Sequence, residues 1–279
     1  MGSKTLRIGA AALVISGAEK KAKVCFKRLF DFCKVWLPGC GCDIVLLPEQ
    51  AESRPEEREA LGGPISRAFG EIAKQHRLYL IAPIPEISRG KAYNTQAVFS
   101  PKGKCVYAYR KVHLAPGEEK VHVAGNRFNT FELPWFRAGV LTCFDNQFPE
   151  STRVLAVKGA RVVFFPSFGD LAKPHRNAAR CLDNHIYLIG ASFIDKSCGL
   201  PLGQFEQGMV MDPMGNHVCA TGPREGLAIA ELPLRAGRLS FSPVSKNTLN
   251  AKVNYLERRR VHAYRPLLKP KSVKGVQHL

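Results

Sequence analysis

Gly139-Val140-Leu141-Thr142-Cys143-Phe144-Asp145-Asn146-Gln147-Phe148-Pro149-Glu150 joins an apolar run of β character to a helical pattern through a single cysteine. The run from Val140 stops at Cys143, and Phe148-Pro149-Glu150 opens a helix that continues through Arg153, Leu155 and Val157 to Lys158. Pro149 suits the first helical position, where a missing N–H costs nothing. A thiol on such a strand-to-helix turn is expected at the exposed end of a sheet. Backbone N–H groups and the positive end of a helix dipole lie close by, and both favour the thiolate. The same pattern fits a buried, inert cysteine, so the partners of Cys143 decide its meaning.

Those partners come from strand ends upstream. Asp43-Ile44-Val45-Leu46-Leu47-Pro48-Glu49 reads as a short buried parallel strand that breaks at Pro48, leaving Glu49 at its C-terminal end. Residues 93–99 and 105–109 read as antiparallel strands joined by the turn Ser100-Pro101-Lys102-Gly103-Lys104. The second strand runs into Arg110-Lys111-Val112-His113-Leu114, so a strand end delivers Lys111. Between them, 52–61 is expected as a polar loop, 64–76 as a helix with Ile65, Ala68, Phe69, Ile72 and Ala73 on one face, and 78–82 as a strand. Downstream, residues 161–167 and 186–192 read as strands around a helix at 176–184. Strands at 205–211 and 227–232 flank Asp212-Pro213-Met214-Gly215, and the chain from Pro233 onward is expected to be only partly helical. Alternating strands and helices with interposed antiparallel pairs predict an α/β fold with helices on its outer faces. Sites in such folds assemble at strand C-termini, where Glu49, Lys111 and Cys143 fall.

Composition sets the frame. The 279 residues contain no Ser/Gly/Pro-rich linker, which predicts a single domain over 1–279, with a core to about 264 and a basic tail at 265–279. Apolar residues make up 45% of the chain, yet no apolar run is long enough to span a bilayer. Lys4 and Arg7 followed by Ile8-Gly9-Ala10-Ala11-Ala12-Leu13-Val14-Ile15 resemble a short signal peptide. The next segment has a helical pattern (Ala22, Cys25, Phe26, Leu29, Phe30, Cys33, Trp36, Leu37) rather than a cleavage region, so the run is assigned as a first core strand. Nine cysteines, an odd number at irregular spacing, argue against a disulfide framework and for a reducing, cytoplasmic compartment. Eight scattered histidines give no zinc-ligand spacing, and neither a metal nor another cofactor is expected. The net charge of +18, from 41 Lys plus Arg against 23 Asp plus Glu, permits attraction to polyanions. Runs such as Lys20-Lys21-Ala22-Lys23 and Arg258-Arg259-Arg260 carry no nucleic-acid motif, and no specific nucleic-acid site is assigned.

A thiol, a carboxylate and an ammonium form a workable nucleophilic set. Glu49 can accept the thiol proton and return it to a leaving amine, while Lys111 stabilises the oxyanion of a tetrahedral intermediate. Taken singly, a Glu or Lys beside a strand end is usually a solvated loop charge.

The order of short blocks resembles the nitrilase superfamily of carbon–nitrogen hydrolases. The blocks are Leu46-Leu47-Pro48-Glu49, Tyr93-Asn94-Thr95, Tyr109-Arg110-Lys111-Val112-His113-Leu114, Cys143-Phe144-Asp145, Phe148-Pro149-Glu150, Gly159-Ala160 leading into Phe165-Pro166-Ser167, and Asp212-Pro213-Met214-Gly215. The resemblance implies a four-layer α-β-β-α sandwich, usually paired as a homodimer or a higher homo-oligomer, with Glu49, Lys111 and Cys143 as catalytic triad. It implies a second glutamate after the lysine, assigned to Glu118 by the Gly125 beyond it, with Glu119 as alternative. The Phe144 N–H would complete the oxyanion site, and a small amide-type substrate would release an amine or ammonia and leave a thioester. Phe144-Asp145 stands where relatives acting on nitriles have Trp-Glu, which favours amide or N-carbamoyl substrates. Gln147 is neutral where many relatives carry arginine to grip a carboxylate, Asn146 is neutral where some also do, and Asp183-Asn184 replaces a more usual Glu-Asn.

Hydrolysis of linear C–N bonds is therefore the leading function. The alternatives are a basic binding protein for nucleic acid or acidic surfaces on a hydrolase scaffold, and an amine acyltransferase. An intact triad argues against the first. The membrane-embedded acyltransferase relatives need spanning helices that this chain lacks. The pocket is expected to be shaped by loops at 51–63, 115–129 and 168–176.

Overall fold

The computed structural model describes residues 5–15, 25–50, 55–168, 171, 174–195, 207–222, 224–235, 238–239, 256 and 259–268. The basic run 20–23, Arg258, the start of the strand expected at 205–211, parts of the loops expected to shape the pocket and the tail at 269–279 lie outside the described residues. The chain forms two compact units, Met1–Ser242 and Pro243–Leu279. In the second, the described structure is a 3-10 segment, Val261–Leu268, preceded by Arg259, whose Nε donates to the Leu256 carbonyl (2.8 Å).

The first unit is built on β1 (Thr5–Ile15), which pairs with three strands. It runs parallel to β2 (Ile44–Leu46) at residues 8–10 and antiparallel to β12 (Gly226–Arg235) at residues 5–12. At residues 12–15 it runs parallel to β9 (Tyr187–Asp195). One half-sheet continues from β2 through β3 (Tyr79–Ser88), β4 (Lys91–Phe99) and β5 (Cys105–Arg110). The other continues from β9 through β8 (Val162–Pro166), β7 (Arg137–Val140) and β6 (Thr130–Glu132). At its side, β10 (Gly208–Met211) pairs with β9 and with β11 (His217–Ala220), and β13 (Arg238–Leu239) pairs with β12.

Helices cover the outer faces. α1 (Cys25–Trp36) and α2 (Pro64–His76) pack on the first half through Phe26, Leu29, Phe32, Phe69 and Ala73. α3 (Pro149–Val157) packs on the second, with Leu155 seated against Gly139 of β7, where a Cβ would stand 2.7 Å from its methyls; α4 (Pro174–Asn184) lies beside it. The inner faces meet through aromatic pairs: Tyr107 stacks on Phe131 at 4.4 Å, and Tyr79 meets Trp135 edge to face at 5.9 Å. Burying apolar surface on both faces of β1, β2, β8 and β9 explains why these strands read as continuous apolar runs. The result is an α/β sandwich with helices outside and strands within.

Two expectations need correction. β3 extends well past Ala82, through Pro83 and Pro85. The Glu59 N–H donates to the Pro85 carbonyl (2.9 Å) and the Ile87 N–H to the Glu59 carbonyl (2.8 Å), so the two proline nitrogens lie along the edge opposite β4, where β2 has ended. The segment 52–61 is more than a polar loop, because Glu59 is buried. Its carboxylate accepts from the Ile65 and Ser66 N–H groups and the Ser66 hydroxyl, each at 2.7 Å, and so caps α2 in place of a side chain at Gly63.

Candidate active site

Glu49, Lys111 and Cys143 lie just beyond β2, β5 and β7, and the sandwich brings these ends together. Leu47, Pro48 and Glu49 leave β2 in extended form, and the Glu49 N–H donates to the Ser167 carbonyl beyond β8 (3.3 Å). Lys111 is held by its own N–H on the Asn94 carbonyl (2.9 Å) and by its carbonyl, which accepts from Gly125 N–H (2.7 Å). A Cβ at Gly125 would stand 2.2 Å from the Arg110 carbonyl oxygen, so this close return of the loop requires glycine.

The side chains form a buried charge cluster. Lys111 Nζ donates to Glu49 Oε1 (2.9 Å) and to Glu118 Oε2 (2.6 Å). Asn94 Nδ2 donates to both carboxylates, at 2.7 Å to Glu49 and 3.3 Å to Glu118, and Ala115 N–H adds a bond to Glu118 Oε2 (2.6 Å). Glu119 instead accepts from the Gly117 N–H (2.7 Å) at the exposed side of the same 3-10 turn, Glu118–Lys120. Burial pushes the Glu49 carboxyl above the ordinary glutamate value, the charge of Lys111 opposing it and that of Glu118 adding to it. For Lys111, burial acts downward, but the charges of Glu49, Cys143 and Glu118 prevail and hold the ammonium above the usual lysine range.

Cys143 opens a 3-10 turn, Cys143–Gln147, with φ +44°, a left-handed conformation that costs a non-glycine residue about 1 kcal/mol or more. Asp145 holds that turn. Fully buried, it accepts from the Thr142 N–H (3.0 Å), the Tyr109 hydroxyl (2.6 Å) and the His113 N–H (2.8 Å), with His113 Nδ1 at 3.0 Å. The His113 ring stacks on Phe148 at 3.9 Å. One carboxylate thus ties the nucleophile turn to the segment carrying Lys111. Asp145→Ala is expected to lower stability by about 3–5 kcal/mol, since it leaves several buried donors unpaired. Urea unfolding measures this, and a loss below about 1 kcal/mol would show that the turn stands without Asp145.

The expectation of a favoured thiolate is overturned. Burial, and next the charge of Glu49, push the Cys143 thiol up to about 12 against the opposing pull of Lys111 and of hydrogen bonds from Ser167 and the Phe168 backbone. The resting group is a thiol beside a carboxylate, suited to giving up its proton as it attacks. Phe144 is second in the 3-10 turn, where leading N–H groups have no partner within the helix. Gln147 ends that turn, half-buried. Arg180 Nη2 donates to the carbonyls of Asn146 (3.0 Å) and Gln147 (3.5 Å), and Asn146 Nδ2 donates to Asn177 Oδ1 (2.8 Å).

Asn94, Tyr109 and Ser167 carry no role in the sequence alone, and Asp145 only a hint of substrate class, although each lies in one of the motif blocks. Their placement inside those blocks was the available signal.

The family described as carbon–nitrogen hydrolase matches residues 27–239. The chain belongs to the carbon–nitrogen hydrolase family. Human omega-amidase NIT2 is 32% identical, over 70% of this chain and 78% of the human protein. Omega-amidase NIT2-A of Xenopus laevis is likewise 32% identical over the same shares. Among solved structures, an amidase from Nesterenkonia sp. superposes with a TM-score of 0.71, at 22% identity over 96% of this chain and 98% of that one. Nit3 of Saccharomyces cerevisiae, from branch 10 of the nitrilase superfamily, superposes at 0.66, with 24% identity over 82% and 90%. These likenesses establish the nitrilase fold, and with it the α-β-β-α layering. The chain is a carbon–nitrogen hydrolase of the amidase-like branch. No helix among the described residues is long and apolar enough to cross a membrane.

Proposed function

We propose that Cys143, Glu49, Lys111 and Glu118 hydrolyse a small amide through a thioester on Cys143. The observation that carries this reading is the Glu49–Lys111–Glu118 cluster, in which the charges of Glu49 and Lys111 act on the Cys143 thiol. As the sulfur attacks the amide carbon, Glu49 takes the thiol proton, and the oxyanion forms against Lys111 Nζ and the Phe144 N–H. Glu49 then protonates the departing amine. In the second half, Glu49 takes a proton from water as it attacks the thioester, and returns it to the Cys143 sulfur as the acid leaves. Glu118 and Asn94 hold Lys111 and Glu49 in place throughout. In a variant of the Nesterenkonia amidase, of similar fold, the acetamide moiety of fluoroacetamide is added covalently at the active site cysteine, which is consistent with that role for Cys143.

We take the substrate to be a neutral amide. Gln147 supplies no charge, and the Arg180 guanidinium is engaged by main-chain carbonyls. A second reading places an acid at the far end of the amide, met by Arg176, one turn before Arg180 on α4. Ammonia release from matched primary amides with and without a far carboxylate tests both readings, with N-carbamoyl compounds and nitriles alongside. The expected result is a higher kcat/KM for the neutral amide, with Gln147→Arg shifting preference toward the acid. A clear preference of the unmodified protein for the acid would overturn the neutral reading. We further propose a homodimer in a reducing, cytoplasmic compartment, consistent with seven described free thiols. A single hydrolase domain, with a basic tail from about 265, is consistent with a family match that falls within the first unit.

A further inference from the structure

We propose that Cys40 and Cys42 form a second thiol site, separate from Cys143, which reduces a small-molecule disulfide and closes on itself as a Cys40–Cys42 disulfide. The pair lies in the turn between α1 and β2, before the N-terminal end of β2, whereas Glu49 lies beyond its C-terminal end. Gly39 (φ +73°) and Gly41 (φ +64°) give the turn two left-handed residues, folding the backbone so that the thiols face each other's peptide groups. The Cys42 N–H points at Cys40 Sγ (3.5 Å), and Cys42 Sγ at the Cys40 carbonyl (3.9 Å). Cys40 is half-buried and open to a small reagent, while Cys42 is 6% exposed.

The charges around the turn favour a reactive Cys40. Arg7 reaches over it: its Nη1 lies 2.9 Å from where a Gly41 Cβ would stand. Arg7 is fixed by its N–H on Asp43 Oδ2 (2.9 Å), by the Asp43 N–H on its own carbonyl (2.8 Å) and by Glu231 at 3.6 Å. A hydrogen bond from the Cys42 thiol, and after it the Cys42 N–H and the charge of Arg7, outweigh burial and bring Cys40 down to about 6. The same shared hydrogen bond, together with burial and the charge on Cys40, raises Cys42.

The chemistry takes two exchanges. The Cys40 thiolate attacks one sulfur of the small disulfide, forming a mixed disulfide and releasing one thiolate. Cys40 then no longer carries the charge that held the Cys42 proton. Cys42 gives up that proton and attacks the Cys40 sulfur, releasing the second small thiol. In sum, two protein thiols and one disulfide give a protein disulfide and two small thiols.

The test uses the full chain and oxidised glutathione. Trypsin yields a peptide spanning residues 35–58, whose cysteines are Cys40 and Cys42 alone. After brief exposure and alkylation, this peptide is expected two hydrogens lighter and unalkylated, with alkylation restored by prior reduction. Cys42→Ser should accumulate glutathione on Cys40, and Cys40→Ser should take up none there. At pH 6.5, iodoacetamide should label Cys40 at least about tenfold faster than exposed Cys105. A wild-type peptide that stays fully alkylated or stops at the mixed disulfide would overturn the proposal, as would equal labelling of Cys40 and Cys105. The wild-type measurements decide even where a serine variant fails to fold.

Discussion

Cys143→Ala should turn over its amide at least about a thousandfold more slowly than the wild type, because no neighbouring group can replace the sulfur that carries the acyl group. Single-turnover ammonia release measures this, and a residual rate above about a hundredth of wild type would exclude a covalent mechanism. The same residue offers a control on folding. At φ +44° the backbone is strained for any side chain but glycine, so Cys143→Gly should be equally inactive yet melt higher than Cys143→Ala. A lower melting point for the glycine variant would show that the turn carries no such strain.

Glu49→Gln should lower kcat by about a hundredfold to ten-thousandfold while substrate still binds, since it removes the proton acceptor and keeps the shape. In the wild type, Glu49 must be ionised to accept the thiol proton, and burial raises its pKa. Activity should therefore fall with decreasing pH through a midpoint above the ordinary glutamate value. A kcat/KM profile whose acid limb sits at or below that value would remove Glu49 from the role of base, as would a Gln variant altered only in KM. Stability carries the opposite sign. With its folded pKa raised, protonated Glu49 contributes stability that is fully present below its unfolded pKa and is lost as pH rises through the folded one. Glu49→Gln should show a smaller drop in melting temperature across that rise.

The strand ends were legible because β2, β5 and β7 are short runs with abrupt stops: a proline after Leu47, a basic segment after Tyr109, a lone thiol after Thr142. Local pattern locates such stops well. It does not report what a side chain meets across the sandwich, and so the network on Asp145, which joins two segments some thirty residues apart, is invisible in the chain order. Glu59 falls in a stretch of polar, loop-like sequence for the same reason: its partners are N–H groups six and seven residues on, and nothing in periodicity marks a carboxylate that caps a helix from outside it. The state of the Cys143 thiol is not legible in the chain, because proximity to N–H groups can be inferred from a turn, whereas burial and an adjacent carboxylate depend on the packed whole.

The pairing of Thr5 with Pro233 sets the timing of assembly on the ribosome. β1 has its antiparallel neighbour more than two hundred residues later, so most of the first unit is synthesised before that edge can be covered. Until then an apolar strand waits with unpaired backbone groups, the arrangement most prone to join the wrong chain. So distant a closure also makes for slow folding, since the entropy of a long loop is lost before its contacts form. A nascent chain of this architecture depends on its neighbours β2 and β9 to occupy β1 first, and β12 seals a sheet already half built.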